Sequence, residues 1–401
     1  MPKKQWSAWR FVVWFGVVSL LADLVYEGAR SITGPFLASL GASAALVGII
    51  TGLGEGFALT GRLGSGPLAD KTRAYWPLAI AGYALTVISV PLLGIASVLG
   101  TAAVLVIMER IGKALRSPAK DVMLSHATSA IGRGKGFAVH EALDQIGAVL
   151  GPLAIGAILG LTNSYSWAFA AMAIPGVAVI ALLLWLRNKV PDPTQYEPED
   201  DSTVEATTEP KRFANWQFPN AFWWYLAFTV VATLGYGTFG VLSFHLVKEH
   251  VIATPLVPVV YAAAMGVDAL MAVATGWLYD RIGRRSLLIV PFISAAIPMF
   301  AFTTTPWVAV TGILLWGAVM GIQESTMRAA VADLVPARRR GTAYGVFAAG
   351  FGTATFIGGA LMGILYGISI PAIIMAVVCI EICALIVLII AIRKQSAEAK
   401  S

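Results

Sequence analysis

Charge is scarce in this chain. Asp, Glu, Lys and Arg make up 12% of its 401 residues, against about a quarter in soluble domains, while apolar residues reach 58%. A water-soluble fold of this length could not cover its surface with so few charges, so much of that surface must face hydrocarbon. Cysteine is scarcer still. Cys379 and Cys383 are the only two, four apart in one apolar stretch, which excludes a disulfide framework or a cysteine-built zinc cluster and leaves them as packing residues. No Gly-x-x-x-x-Gly-Lys-Ser/Thr loop occurs, so no nucleotide-driven motor is encoded. The short alternating segments of a transmembrane β-barrel are also missing. The net charge of +6 does not mark a nucleic-acid binder, because the basic residues cluster at the ends of apolar segments, as membrane topology requires. Nothing in the sequence calls for a cofactor or a resident metal.

What is present is a series of long apolar runs, with a mean hydropathy of +0.77. Runs of roughly 20 residues or more predict membrane-spanning helices near 11–38, 46–69, 76–98, 101–124, 137–160, 166–186, 221–246, 257–279, 286–305, 308–334, 341–366 and 370–392. Lys3, Lys4 and Arg10 before the first run resemble a secretory signal, but that run carries polar residues and is read as a retained span. Under the twelve-span reading, Lys71, Arg73, Arg133, Lys135, Arg187, Lys189, Lys211, Arg212, Arg281, Arg284, Arg285, Arg338 to Arg340, Arg393 and Lys394 share one side. The other side holds only Lys248. The positive-inside rule then puts both termini in the cytoplasm of a multi-pass protein of the cell membrane; the short loops suggest a prokaryotic one. Residues 187–218 hold Pro191, Pro193, Pro198 and Pro210 among acids such as Asp192, Glu197 and Glu209, a composition that predicts a flexible cytoplasmic linker. The chain is thus expected to be an all-α membrane protein, with six-helix bundles at 1–186 and 219–401 joined by that linker, working as a monomer.

The halves echo each other. Gly66-Pro67-Leu68-Ala69-Asp70-Lys71 follows the second run, and Gly276-Trp277-Leu278-Tyr279-Asp280-Arg281-Ile282-Gly283-Arg284-Arg285 follows the eighth. The second of these resembles the loop signature of the major facilitator superfamily closely. The first matches as far as Asp70, after which Arg73 and Ala74 stand where the family usually has Gly and Arg. Gly147-Ala148-Val149-Leu150-Gly151-Pro152 in the fifth run is similar to a second family signature, associated with exporters that exchange substrate for protons. The resemblance implies two six-helix halves rocking about a central site, with Asp70, Arg73, Gly276, Asp280, Arg281, Gly283 and Arg284 gating its cytoplasmic mouth. Small residues at Gly147 and Gly151 would let helices approach closely, and Pro152 would bend the span. Both signatures can also be read as topology and packing devices.

Ionisable residues inside apolar runs cost about 2.5–3.5 kcal/mol each on insertion scales, so they should line a cavity or be paired. They include Asp23, Glu27 and Arg30; Glu55 and Arg62; Glu109, Arg110, Lys113 and Arg116; His140, Glu141 and Asp144; Asp268; and Glu324 and Arg328. The third, sixth and ninth runs have none and the twelfth has only Glu381, which agrees with the outer position those spans hold in the family fold. Asp23, Glu27 and Arg30, and likewise Glu109, Lys113 and Arg116, share a helix face at spacings of four and three; Glu324 and Arg328 repeat the acid-to-base spacing. Two readings follow. Asp23, Glu27, Glu55, Glu109 or Asp144 titrate during transport, with Asp23 and Glu109 leading, or the pairs are permanent bridges that hold the first half together.

Arg30, Arg110, Lys113, Arg116, Tyr236, Glu324 and Arg328 are the candidates for contacting solute. Trp14, Tyr26, Phe57, Phe239 and Trp316 would add aromatic faces for apolar or cationic solutes. The expected function is alternating-access transport with protons and a small molecule as partners, most simply proton-coupled export of an organic solute or drug. A divalent-metal exporter using Asp23, Glu27, His140 and Asp144, and an anionic-solute transporter, keep the same fold. His140-Glu141-Ala142-Leu143-Asp144 falls one residue short of the zinc-binding His-Glu-x-x-His helix, so an intramembrane metalloenzyme is the rival from a different class, together with a solute sensor that moves nothing.

Overall fold

The computed structural model describes residues 6–196, 218–335 and 340–398. Every regular element among them is helical. The first span is Ala8–Ser39; the second runs from Ala44–Thr60 through Gly61 into Arg62–Thr72; the third is Tyr75–Leu93, the fourth Leu99–Ser129 and the fifth Arg133–Thr162. The sixth joins Tyr165–Ala171 to Ala173–Lys189, and the seventh joins Asn220–Tyr236 to Phe239–Lys248. Leu256–Ile282 is the eighth, and Ile289–Ala301 the ninth, entered through the 3₁₀ turn Gly283–Leu288. The tenth passes from Pro306–Ile322 through a π-helical turn, Gln323–Met327, into Arg328–Leu334; Arg340–Ile368 and Ile370–Glu398 complete the series. Ten stretches are long and apolar enough to cross a bilayer, and one of them, Leu256–Ala301, holds both the eighth and ninth spans. Leu99–Ser129 is not among the ten, because it carries Glu109, Arg110, Lys113 and Arg116. Helix starts are marked by serines: Ser7, Ser43 and Ser164 accept hydrogen bonds from the backbone N–H groups of Arg10, Leu46 and Trp167, answering donors that a helix leaves unpaired.

Two apolar clusters divide the molecule. One gathers residues between Phe11 and Val190, with Phe244 added from the second half; the other gathers residues between Phe218 and Leu388. In hydrocarbon no water-driven force pulls helices together, so close approach of small residues does the work. A Cβ on Gly147 or Gly151 would run into the backbone of Leu20 or Leu24 in the first span, and a Cβ on Gly82 would lie 2.7 Å from the carbonyl of Gly112. Pro152 is buried inside the fifth helix, which continues through it.

Glycine also joins the bundles. Along the second and eleventh spans, a Cβ at Gly52 would come 2.9 Å from the carbonyl of Phe356, one at Gly56 3.1 Å from that of Gly352, and one at Gly359 3.0 Å from that of Gly48. With an even number of passes both chain ends lie on one face. On the far face Gly34 meets Gly240, Gly156 meets Pro255 and Gly363 meets Ala44, so three helix pairs close that side. Thr51 and Thr238 add a hydroxyl contact of 2.9 Å. Toward the chain-end face Gly64, Gly66 and Gly276 have open space around them, and Leu63, Leu68, Trp277 and Ile282 are exposed.

Three expectations need correction. The linker starts later than 187: the sixth span is helical to Lys189, Trp76 Nε1 donates to the carbonyl of Val190 at 3.0 Å, and Tyr196 packs its ring 5.8 Å from Phe11. Apolar Val190, Pro193 and Tyr196 supply a docking face that the composition of the segment as a whole hides; residues 197–217 lie outside the described residues. The seventh span is broken, not continuous, since Gly237 turns at φ +65°. The tenth is interrupted by its π turn, which inserts a residue into the helical register.

At equivalent positions of the two repeats φ is positive, +52° at Arg73 and +61° at Gly283, and Arg73 lies in the left-handed helical region. Glycine meets no Cβ penalty there, whereas arginine does. Arg73→Gly is therefore expected to raise stability by about 1 kcal/mol, read as a higher melting temperature of the purified protein; no gain would mean the turn relaxes in solution. Gly48→Val should hold the second and eleventh spans apart, and spin-label distances across the far face should lengthen relative to the parent chain. An unchanged distance distribution would show that the glycine contact does not control closure.

Candidate functional site

The charged residues of the first, second and fourth spans assemble into one chain of alternating sign. Arg30 Nη1 lies 3.4 Å from Glu27 Oε2, three residues back on the same helix, and Arg30 Nη2 lies 3.1 Å from Glu55 Oε1 in the second span. Glu55 Oε1 also takes Arg110 Nη1 at 3.2 Å, and Arg110 Nε reaches Glu109 Oε2 at 3.0 Å. Each guanidinium thus stands between two carboxylates. Removing a charge from water costs several kcal/mol, which one contact does not return and a network of several does more to offset; Glu109 Oε1 is left without a hydrogen bond among the described residues.

Tyr26 sits inside the network. Its hydroxyl accepts from Lys113 Nζ at 2.6 Å, and its ring lies 4.6 Å from the Arg110 guanidinium. A looser contact, 3.8 Å, joins Arg116 Nη2 to Asp23 Oδ1, with the Arg116 guanidinium 4.4 Å over the Tyr83 ring. Lys113 therefore bonds to a phenol, and Glu109 pairs with its neighbour Arg110 rather than with Lys113 four residues on. The shared helix face set the Glu27–Arg30 pair but not the pairing in the fourth span.

Tyr261, in the eighth span, crosses between the bundles: its hydroxyl donates to Glu27 Oε2 at 2.5 Å. It is held edge-on by Phe239 at 4.5 Å, and Trp316 lies 5.8 Å beneath the Arg30 guanidinium. Tyr236 stacks flat on Trp316 at 5.5 Å and donates its hydroxyl to the Trp316 carbonyl at 3.3 Å. Glu27 thus touches a cation of its own bundle and a hydroxyl of the other. No motif marks Tyr261; its only sequence signal is a phenol in an apolar run, at a depth where its hydroxyl needs a partner.

The remaining candidates are dispersed. His140 is buried, with Nε2 2.8 Å from Ser19 Oγ, while Glu141 is exposed and Asp144 is partly buried with Oδ1 lacking a hydrogen bond among the described residues. Among those residues no three potential metal ligands gather, so Asp23, Glu27, His140 and Asp144 do not form one site. Glu324 is exposed on the π turn. That turn breaks the α-helical spacing on which its pairing with Arg328 rested, and the Arg328 side chain lies outside the described residues. Asp70 and Asp280 are exposed and form no ion pair among the described residues; Arg281 instead lies 3.4 Å over the Trp277 ring. Arg284 interacts with Tyr279, whose hydroxyl donates to Asp333 Oδ2 at 2.8 Å. Among the described residues the charged loop residues of the two repeats therefore form no ion pair between the bundles in this conformation.

Comparison with known proteins agrees with this architecture. The family model of the Major Facilitator Superfamily matches residues 15–272 and 229–401. An uncharacterised protein of Mycobacterium tuberculosis is 56% identical over 383 residues, covering 95% of this chain and 93% of its own length. The class H tetracycline resistance protein of Pasteurella multocida is 29% identical over 149 residues, which is 36% of this chain and 37% of that protein. Among solved structures, a mutant of the nucleoside transporter NupG superimposes with a TM-score of 0.76 at 13% identity, covering 95% of this chain and 99% of that one. Helices, internal repeat and family match converge, and the chain belongs to the major facilitator superfamily.

Proposed function

We propose that the chain is a secondary transporter that exports a small organic solute in exchange for protons, by alternating access of the halves 1–186 and 219–401 about the connection 187–218. The basic loops put the chain-end face in the cytoplasm of a prokaryotic cell membrane. With the far face closed, this conformation is the one that receives solute from the cytoplasm. The reading includes a monomeric protein that moves its solute without chemical change and needs no cofactor. Partial similarity to a tetracycline resistance protein supports the outward direction.

One observation carries the coupling: Glu27 Oε2 is shared between Arg30 of its own helix and the Tyr261 hydroxyl of the opposite bundle. Rocking the bundles apart at that level removes the hydroxyl and leaves the carboxylate to its own bundle, so its partners differ between the two halves of the cycle. Glu27 therefore replaces Asp23 and Glu109 as the leading proton carrier. Asp23 and Asp144, loosely partnered, are secondary carriers. Glu55, held by two guanidinium groups, is the bridge that keeps the first half rigid. A second reading has its own support: no carboxylate of the described residues lies within ion-pair distance of Lys113, whose ammonium bonds to Tyr26. An anionic group on the solute would find its counter-charge there.

Proteoliposomes with an imposed pH gradient test the proposal. Glu27→Gln should abolish gradient-driven solute flux while leaving solute exchange at equal pH. Tyr261→Phe should slow the driven flux about tenfold or more, matching the roughly 1.5–3 kcal/mol that a hydrogen bond to a charged group contributes. Driven flux at the parent rate in both variants would remove Glu27 from the coupling. Glu55→Gln strips the buried Arg110 and the partly buried Arg30 of their shared partner, so it should destabilise the protein by about 3–5 kcal/mol, seen as a lower melting temperature; an unchanged one would mean water fills the gap.

A further inference from the structure

The second half buries a carboxyl group that the transport site does not use. Glu381, in the twelfth span, is 2% exposed, and neither of its oxygens has a hydrogen-bond partner among the described residues. It points at the seventh span: a Cβ added to Gly235 would lie 3.1 Å from Glu381 Cδ, with Oε1 closer still. The seventh, ninth and twelfth spans pack against one another. Two of them carry further buried hydroxyls without a hydrogen-bond partner among the described residues, Thr233 in the seventh and Ser294 in the ninth.

The surroundings decide the state of this group. No charged side chain of the described residues acts on it. The ninth span carries no titratable residue. On the seventh, Tyr225 stacks on Phe347 and Tyr236 on Trp316. On the eleventh, Tyr344 is exposed and Tyr366 bonds to His245 at the far face, while the Arg340 side chain lies outside the described residues. In the turn before the ninth span Arg285 is exposed and Arg284 is engaged with Tyr279. On the twelfth itself, Cys379 and Cys383 are exposed and Arg393 is at the membrane edge. A second feature acts in the same direction. The first helix of the seventh span ends at Tyr236, one residue after Gly235, and Gly237 turns away at φ +65°. The last four carbonyls of a helix lack intrahelical donors and carry partial negative charge. A carboxylate beside them would face negative dipoles with no counter-ion, whereas the O–H of a carboxylic acid is the donor they lack.

We infer that Glu381 is a proton-binding site outside the central cavity: a carboxylic acid that keeps its proton in the membrane and uses it to hold the broken end of the seventh span. Unlike Glu27, it lies on an outer helix and touches no residue of the opposite bundle in the contacts described. Because the break at Gly237 is where the seventh span would flex, the proton at Glu381 fixes the end of the first helix of that span, from which the second departs.

The test uses the full chain in lipid nanodiscs and needs no solute, so it stands apart from the transport proposal. Infrared difference spectra near neutral pH should show a protonated-carboxyl C=O band that is lost in Glu381→Gln. Gly235→Ala, which keeps the carboxyl but crowds it, should shift that band. A group neutral when folded but ionised when unfolded stabilises least where the unfolded form ionises, so the parent's melting temperature should fall as pH rises above the ordinary carboxylate range. Glu381→Gln, neutral at every pH, should lose that part of the slope and match the parent's stability in acid. A band unchanged in both variants, or a pH slope that Glu381→Gln leaves intact, would overturn the inference. So would a glutamine variant that melts below the parent at every pH, which would show that an ionised carboxylate had been supporting the fold.

Discussion

A charge in hydrocarbon must be answered, and the first half of this protein is organised around that demand. Glu27, Arg30, Glu55, Arg110 and Glu109 answer one another in sequence across three helices. None of the pairs would be stable alone, because desolvation of each ion exceeds what one contact returns. The network therefore fixes the relative positions of the first, second and fourth spans. It also leaves one carboxylate, Glu27, at the boundary between bundles, where Tyr261 completes it.

The second half solves the same problem differently. It has few charges to pair, and its buried polar atoms are isolated: Asp268, Thr233, Ser294 and Glu381 each carry an oxygen without a partner among the described residues. Aromatic stacking of Tyr236, Trp316, Phe239 and Tyr261 takes the place of ion pairing as the element that organises the interior. The asymmetry suits a machine in which one bundle presents a charged wall and the other an aromatic one. The glycine contacts of the second and eleventh spans keep these walls within reach of each other without a side chain between the backbones.

The helices and their order could be read from composition and periodicity because the bilayer imposes one length and one polarity on every span. Reading failed where local chemistry overrides that rule. Gly237 breaks the seventh span although the run of apolar residues continues across it, and the π turn at Gln323–Met327 shifts the register that the Glu324 to Arg328 spacing assumed. The repeat was visible, and φ is positive at both Arg73 and Gly283, but the two turns differ in ψ and only the second has glycine at that position. The stretch after Lys189 looked uniformly linker-like because four prolines and many acids outweighed Val190 and Tyr196, two of the residues that dock.

The sequence by itself determined that the protein lives in a bilayer and that it is built of helices in two related halves. Those properties follow from transfer energies and helical spacing, which are local. Tertiary structure alone decided who answers whom. Lys113 turns to Tyr26 instead of a carboxylate, Glu55 joins two arginines from different helices, and Glu27 meets a hydroxyl more than two hundred residues away. The approach of one helix to another depends on glycines and aromatic shapes spread over the whole chain, so no segment read alone carries the answer.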